Sequence, residues 1–335
     1  MVAILTGYGP VRRAARAHNL LCLKHMPLVS VEQPARNELE IISGRRWEDL
    51  RLARPDLGPA VELQQRLLAI VGRVAQALGA GRLPRLSLPP KYLAAKLGRG
   101  VPIFAGEPIP VPVGLLKPSL LNLCDALAAG GAGEAADHIK QALTSDSMDA
   151  ASLLTASLSR DQQAIRTGAV HRGLAPDLVW LLAELAASPF AHALQVALLA
   201  PRQEPAGDVL ADAMRSWNHG YCAVCGSWPA LAEVADGHRV LRCSFCAAGW
   251  ELNEYCCIYC REHGEAFVTA APDEERKDRR VEICGACQGY LKTIDVAAIS
   301  PFPLVAITDM ESMDLDLAAM EHGYTRPPMR EFSRR

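Results

Sequence analysis

From Pro59 onward, apolar positions recur at helical spacing. Val61, Leu63, Leu67, Leu68, Ile70, Val71, Val74 and Leu78 fall on one broad face, and Gly79 closes the segment. Further amphipathic segments are predicted at residues 119–129, 133–143, 148–158, 161–171, 175–187, 189–199 and 209–217, with Asp161 placed to cap its helix. The short breaks between them favour an antiparallel helical bundle. Residues 83–118 carry Pro84, Pro89, Pro90, Pro102, Pro108, Pro110 and Pro112, and read as mostly extended linker lying on the helices. Residues 201–208 read as a hinge.

Past residue 221 the period changes. Residues 230–235 and 238–243 alternate in character around Asp236-Gly237, a β-hairpin signal. Residues 265–271 and 279–284 do the same around a charged tip at 273–278. The start of the chain resists assignment. Residues 1–9 are apolar and Gly-punctuated, and seven basic residues up to Arg46 face three acidic ones, Glu32, Glu38 and Glu40. A loosely attached extension is expected there, with a basic membrane-surface helix as the sharper alternative.

With 335 residues and a globular composition, the chain has room for two or three domains. Lys+Arg is 35 against Asp+Glu at 37, a formal charge of −2, so no global basic field gathers nucleic acid or anionic membrane. Residues 179–200 are the most membrane-like stretch, yet Glu184, His192, Gln195 and Ser188-Pro189 interrupt them, and two packed helices are expected instead of stable membrane insertion. No apolar signal core follows Arg12-Arg13, so the expected compartment is the cytoplasm.

The helical part shows no catalytic constellation. His138, His171 and His192 occur singly and read as surface or satisfied core residues, and residues 130–133 read as a flexible break rather than a phosphate loop. The chemistry sits further on, where nine of the eleven cysteines fall between Cys222 and Cys287. In a reducing compartment such clustering points to metal rather than disulfides.

Four Cys-x-x-Cys pairs occur in tandem: Cys222/Cys225, Cys243/Cys246, Cys257/Cys260 and Cys284/Cys287. A tetrahedral ion with bonds of ~2.3 Å holds its sulfurs roughly 3.8 Å apart, a spacing that a tight turn across two residues supplies. Gly226 and Gly289 stand where the chain turns back. Each hairpin separates two pairs, so the same unit is written twice. The expected metal sites are Cys222/Cys225/Cys243/Cys246 and Cys257/Cys260/Cys284/Cys287, with an interleaved pairing of first with third and second with fourth as the alternative. Thioredoxin-like chemistry needs one such pair, and a cubane cluster usually draws on a Cys-x-x-Cys-x-x-Cys run that is absent. Cys256 is a spare thiol beside Cys257; Cys22 and Cys124 read as buried apolar side chains.

Four thiolates suit Zn(II) or rubredoxin-like iron, and no open coordination position is implied, so the role is structural or redox and no enzyme is expected. The fold class is therefore multi-domain α+β, an N-terminal all-α helical bundle followed by two tandem rubredoxin-like or zinc-ribbon metal domains. Expected boundaries are 1–44 for the unassigned extension, 45–217 for the helices, 218–255 and 256–300 for the metal domains, and 301–335 for a C-terminal tail. From residue 218 to 300, eight Lys/Arg face twelve Asp/Glu, and two M(II) tetrathiolate sites make the region more negative still. Nucleic acid is a poor partner for such a surface.

The strings YCAVCGSWP at 221–229, LRCSFCAAGW at 241–250, YCCIYC at 255–260 and ICGACQGYLKTID at 283–295 resemble the cysteine region of the formate dehydrogenase accessory protein family, FdhE. The resemblance runs from about residue 45 to 317 and leaves residues 1–44 outside. It implies a cytoplasmic, non-catalytic maturation factor or chaperone, required for active respiratory formate dehydrogenase and binding that enzyme's catalytic subunit before export. It also favours iron over zinc at the cysteines. Two other classes stay open, a rubredoxin-like electron carrier or oxidoreductase and a zinc-ribbon nucleic-acid-binding protein, and so does self-association. The rings of Trp217, Trp228, Trp250, Tyr255, Tyr259 and Tyr290 are expected either to cover the metal cores or to face a client.

Overall fold

A computed structural model describes residues 28–29, 31, 33–84, 86, 88–200, 208–271 and 277–329. The helices are α1 Arg36–Ala53, α2 Gly58–Ala77, α3 Pro90–Leu97, α4 Val113–Leu127, α5 Gly133–Thr144, α6 Ala150–Leu158, α7 Gln162–His171, α8 Pro176–Leu199 and α9 Val209–Arg215, and all but α1 and α3 follow the apolar periodicity. Asp161 caps α7 as expected, its carboxylate accepting from the Ala164 N–H at 2.9 Å, and Asp208 does the same for α9.

Three readings of the helical part need correction. Residues 175–199 make one helix, α8, and not two, because Pro189 forfeits a single backbone bond and lies fully within the apolar core, where packing outweighs that loss. The Ser188 hydroxyl lies 3.5 Å from the Leu185 carbonyl that a residue-189 N–H would otherwise reach. The proline-rich stretch 83–118 is not mostly extended. Pro90 opens α3 at a position where an N–H would have no partner, and Pro118 sits early in α4, at the cost of one bond. Lastly, α1 begins at Arg36, inside the stretch left unassigned. Residues 1–27 and the hinge residues 201–207 lie outside the described residues.

Among the described residues the cysteine part forms one seven-stranded sheet together with a short strand from residues 28–29. Its strands are β1 Leu28–Val29, β2 Pro229–Ala235, β3 His238–Cys243, β4 Gly249–Trp250, β5 Phe267–Ala270, β6 Arg279–Cys284 and β7 Tyr290–Asp295, in the order β1-β4-β3-β2-β7-β6-β5. Both foreseen hairpins form. At the first, Asp236 and Gly237 both have positive φ (50° and 82°), the backbone a two-residue hairpin turn requires. A parallel pairing, β2 against β7 with Leu231 opposite Lys292, joins the two modules into one sheet.

Two further helices, α10 Val305–Glu311 and α11 Met313–Glu321, cover the sheet and fasten it to the bundle. Leu304 and Ile307 pack with Trp47, Leu50 and Val61, while Ala319 packs on Val281, Ile283 and Tyr290. Ion pairs pin them: Arg46 to Glu311, Arg279 to Asp314, and the fully buried Lys292 ammonium to Asp309 at 2.7 Å and Asp316 at 2.6 Å. The largest core passes without a break from Leu116, Leu120, Leu154, Leu182 and Phe190 of the bundle into Trp217, Tyr221 and the first four cysteines.

Candidate metal centres

Each Cys-x-x-Cys pair is folded by the same backbone device. The N–H of the first cysteine donates to the carbonyl five residues on: Cys222 to Ser227, Cys243 to Ala248, Cys257 to Glu262 and Cys284 to Gly289, at 2.8 to 2.9 Å. The residue after the second cysteine has positive φ in all four turns, at Gly226 (85°), Ala247 (56°), Arg261 (68°) and Gln288 (56°). Only the first of these is glycine. Gly289, read from sequence as a turning residue, serves another purpose: a Cβ there would meet Cδ2 of Tyr259 at 2.5 Å and Sγ of Cys287 at 3.2 Å.

The turns present sulfur in two groups, Cys222/Cys225/Cys243/Cys246 and Cys257/Cys260/Cys284/Cys287, the four donor atoms of each lying within 4.8 Å of one another. The nearest sulfurs are 3.7 Å apart for Cys222–Cys246 and 3.4 Å for Cys225–Cys243. In the second group they are 3.7 Å for Cys257–Cys287 and 3.6 Å for Cys260–Cys284. Those separations suit four thiolates around one tetrahedral ion. The interleaved pairing is excluded by geometry. Cys256 is buried but outside the second group, Cys124 is buried in the bundle, and Cys22 lies outside the described residues.

Backbone N–H groups are aimed at the sulfurs. Val224 donates to Cys222 Sγ, and Phe245 and Cys246 to Cys243 Sγ, each at 3.4 Å. Burial pushes the Cys222 and Cys246 thiols well above their ordinary range. Cys225 is drawn well below it, against the same burial, by the other three cysteines and the nearby Arg160 charge. In the second group burial raises Cys257 and lifts Cys287 to about 11, while backbone N–H groups of Cys287 and Ala286 help draw Cys284 down. A cation would deprotonate the whole set, so its binding should release protons.

The surroundings of the two groups differ. The first is enclosed by the bundle. Arg160 stacks over the Phe245 ring at 4.0 Å and the Trp180 ring at 4.9 Å while paired to Glu184, and Arg242 pairs with Glu233 out of contact with water. His192, on α8, sets Nδ1 3.0 Å from the Cys246 carbonyl and stacks on Phe302; burial lowers its pKa to about 4, so it is neutral near pH 7. It is the satisfied core histidine the sequence implied. Sequence reasoning does not find the supporting role of Arg160, Glu184 and Trp180; the available signal is Glu184 within an otherwise apolar helix, whereas Arg160 stands in the turn between α6 and α7. The bundle also reaches the first turn through backbone bonds, Ile103 N–H to Ala223 O at 2.9 Å and Phe104 N–H to Val224 O at 2.8 Å.

In the second group Cys257 and Cys284 are buried, but Cys260 and Cys287 are exposed. The aromatic residues divide likewise. Trp217 and Trp250 are buried, their indole N–H groups on the Tyr221 and His219 carbonyls at 3.0 Å, and Tyr290 is buried too, whereas Tyr255 is exposed. Most of these rings thus cover the cysteine cores. Helix α8 is long and apolar enough to cross a membrane by length and composition, and half of that stretch is buried inside the fold.

No protein-family model matches the chain. It is similar to a protein FdhE homolog of Haemophilus influenzae (strain PittEE), 32% identical over 119 residues that cover 34% of this chain and 39% of that protein. A protein FdhE homolog of Aquifex aeolicus (strain VF5) is 30% identical over 115 residues, covering 33% and 40%. The matched segment thus spans about two fifths of the length of these curated relatives. The fold resembles the crystal structure of the FdhE protein from Pseudomonas aeruginosa, with a TM-score of 0.56 and 23% identity over 90% of this chain and 96% of that one. The resemblance to the FdhE family is borne out, as is the order of helices followed by a sheet bearing two four-cysteine groups.

Proposed function

We propose that this chain, a relative of the FdhE proteins, is a cytoplasmic accessory factor for a formate dehydrogenase, that it binds that enzyme's catalytic subunit, and that it is not itself an enzyme. The reading is carried by one observation, two four-cysteine groups of tetrahedral dimensions within a fold shared with an FdhE protein. Cys222, Cys225, Cys243 and Cys246 would hold one ion and Cys257, Cys260, Cys284 and Cys287 a second. Iron is favoured by the family and zinc suits the same donors; when bound, either would cross-link the turns, and iron would add one-electron chemistry. Burial of the first four cysteines in the core shared with the bundle speaks against a substrate position on that group. A nucleic-acid role would need a positive footprint that the acidic cysteine part does not supply.

The test has two halves. Anaerobically purified protein should carry two metal ions per chain, and an absorbance that bleaches with dithionite would identify iron. Tagged full-length chain should capture the formate dehydrogenase catalytic subunit from cells grown for its synthesis. Absence of that subunit from the captured material, at normal metal content, would overturn the accessory reading.

A further inference from the structure

The two cysteine groups share a fold of backbone and differ in access. Cys222, Cys225, Cys243 and Cys246 are each at most 2% exposed and belong to the same core as the helical bundle. To uncover them, the bundle must part from the turns, breaking the Ile103 and Phe104 backbone bonds and separating Arg160 from the Phe245 ring. The other group is less enclosed among the described residues: Ile258 of its first turn joins the same core, but two of its four cysteines stay exposed. There the first cysteine of each turn, Cys257 at 2% and Cys284 at 0%, is buried, and the second of each, Cys260 and Cys287, faces solvent. The exposed pair comes from different turns, so an outside ligand has a path to the centre of the group from one side while two buried sulfurs keep hold from the other.

From this we infer that the two centres are not equivalent: the first is a closed structural node, and the second, through Cys260 and Cys287, is an exchange site where the ion meets an external thiol-type or chelating ligand. The inference rests on the reading that both groups hold metal. In the exchange an incoming thiol binds as thiolate, its proton passes to the displaced Cys260 or Cys287 sulfur, and no electron changes hands. Cys257 and Cys284 would hold the ion while either exposed thiolate is replaced. Exchange at the first group instead requires local opening of the core, an event that occurs only in a minor population.

The experiment uses full-length protein loaded with Zn(II), its total metal measured after denaturation and its release followed with excess 4-(2-pyridylazo)resorcinol. Two ions per chain should leave in two phases, the second at least about tenfold slower because it waits for core opening. Iodoacetamide applied to the wild-type chain after the fast phase, followed by peptide mass spectrometry, should label Cys257, Cys260, Cys284 and Cys287 ahead of the first four. Cys260→Ser plus Cys287→Ser should lose the fast phase and keep the slow ion. One common rate for both ions, or early labelling of Cys222, Cys225, Cys243 and Cys246, would overturn the division of roles. Fewer than two ions in the denatured wild type would instead remove the two-metal reading on which the division rests.

Discussion

Trp228 and Tyr259 meet edge to face with ring centroids 5.0 Å apart, and through this contact the first cysteine turn touches the third. Trp228 follows the first turn by chain order and donates its indole N–H to the Pro328 carbonyl at 3.0 Å; Tyr259 stands between Cys257 and Cys260 and donates its hydroxyl to the Tyr290 carbonyl at 3.0 Å. The pair therefore ties both four-cysteine modules and the C-terminal segment at one point. Aromatic pairs of this kind contribute ~1 kcal/mol beyond the area they bury. Trp228→Ala should lower unfolding free energy by about 2 kcal/mol, and Trp228→Phe, which keeps a ring and loses the hydrogen bond, by about 1 kcal/mol. Urea unfolding of the metal-loaded chain measures both, and equal losses in the two variants would assign the effect to the hydrogen bond.

The turn geometry gives a pair of opposite expectations. Gln288 holds φ at 56° on an exposed surface, a conformation that costs a side-chain-bearing residue ~1 kcal/mol, so Gln288→Gly should stabilise the second module by up to that amount. One residue later, Gly289→Ala should do the reverse by about 1–3 kcal/mol, because its Cβ would press into the Tyr259 ring. Thermal unfolding monitored by Tyr and Trp fluorescence separates the two. A destabilised Gln288→Gly protein would show that its side-chain bond to the Gly285 carbonyl outweighs the strain.

Local pattern specified most helices, both hairpins and the eight paired cysteines, because each is a local property: helix faces repeat within a few residues, and a Cys-x-x-Cys turn is complete in six. What it missed is long-range. The parallel pairing of β2 with β7 sets Leu231 beside Lys292, sixty-one residues on, and neither strand carries a mark of its neighbour. Lys292 reads as an ordinary surface lysine until Asp309 and Asp316 arrive on α10 and its successor. Pro189 and Pro118 read as breaks since their one lost bond is visible locally and the packing that outweighs it is not. The closure of one cysteine group and the exposure of the other likewise depend on where the bundle docks.

Arg160 and Glu184 form a bonded pair beside the first group, Arg160 lying between the Phe245 and Trp180 rings. Removing one partner leaves a charge with little water to receive it. Arg160→Met should therefore cost about 3–5 kcal/mol, and Arg160→Met plus Glu184→Leu should recover a good part of that loss. A double-mutant cycle by chemical unfolding measures the coupling; a double variant no more stable than the single one would assign the loss to the stacked rings.

Cys124 gives the bundle a pH dependence in the alkaline range. It is 1% exposed on α4, and burial, the leading cause, raises its pKa from 9.0 to about 12. A pKa raised on folding means the contribution is fully present below pH 9, where both states carry the proton, and is lost as the pH climbs toward 12, where the unfolded chain alone has ionised. Stability should fall across that window by up to ~1.4 kcal/mol per pH unit. The difference in denaturation midpoint between wild type and Cys124→Ala, followed up the alkaline range, isolates this group from the other cysteines. A constant difference would refute the shift.

Metal removal should act unequally on the helices. Because the first cysteine group shares a core with α8 and α9 and its turn is bonded to residues 103 and 104, Cys222→Ser plus Cys225→Ser should loosen the bundle as well as the sheet. The corresponding change in the second group, Cys257→Ser plus Cys260→Ser, touches a module held mainly by β6, β7 and α11, with Ile258 as its turn's buried contact to the shared core, so its effect should fall chiefly on the sheet. Structural zinc in isolated fingers supplies on the order of 10 kcal/mol, more than most domains have in reserve, so the first variant should lose helical order outright and not merely melt earlier. Hydrogen exchange resolved by peptide measures where each loss goes: faster exchange in residues 100–104 and 176–199 for the first variant, and near-native rates there for the second. Native protection of those helical segments in the Cys222→Ser plus Cys225→Ser protein would mean that the bundle stands without the first centre, and that the shared core is packing the metal does not support.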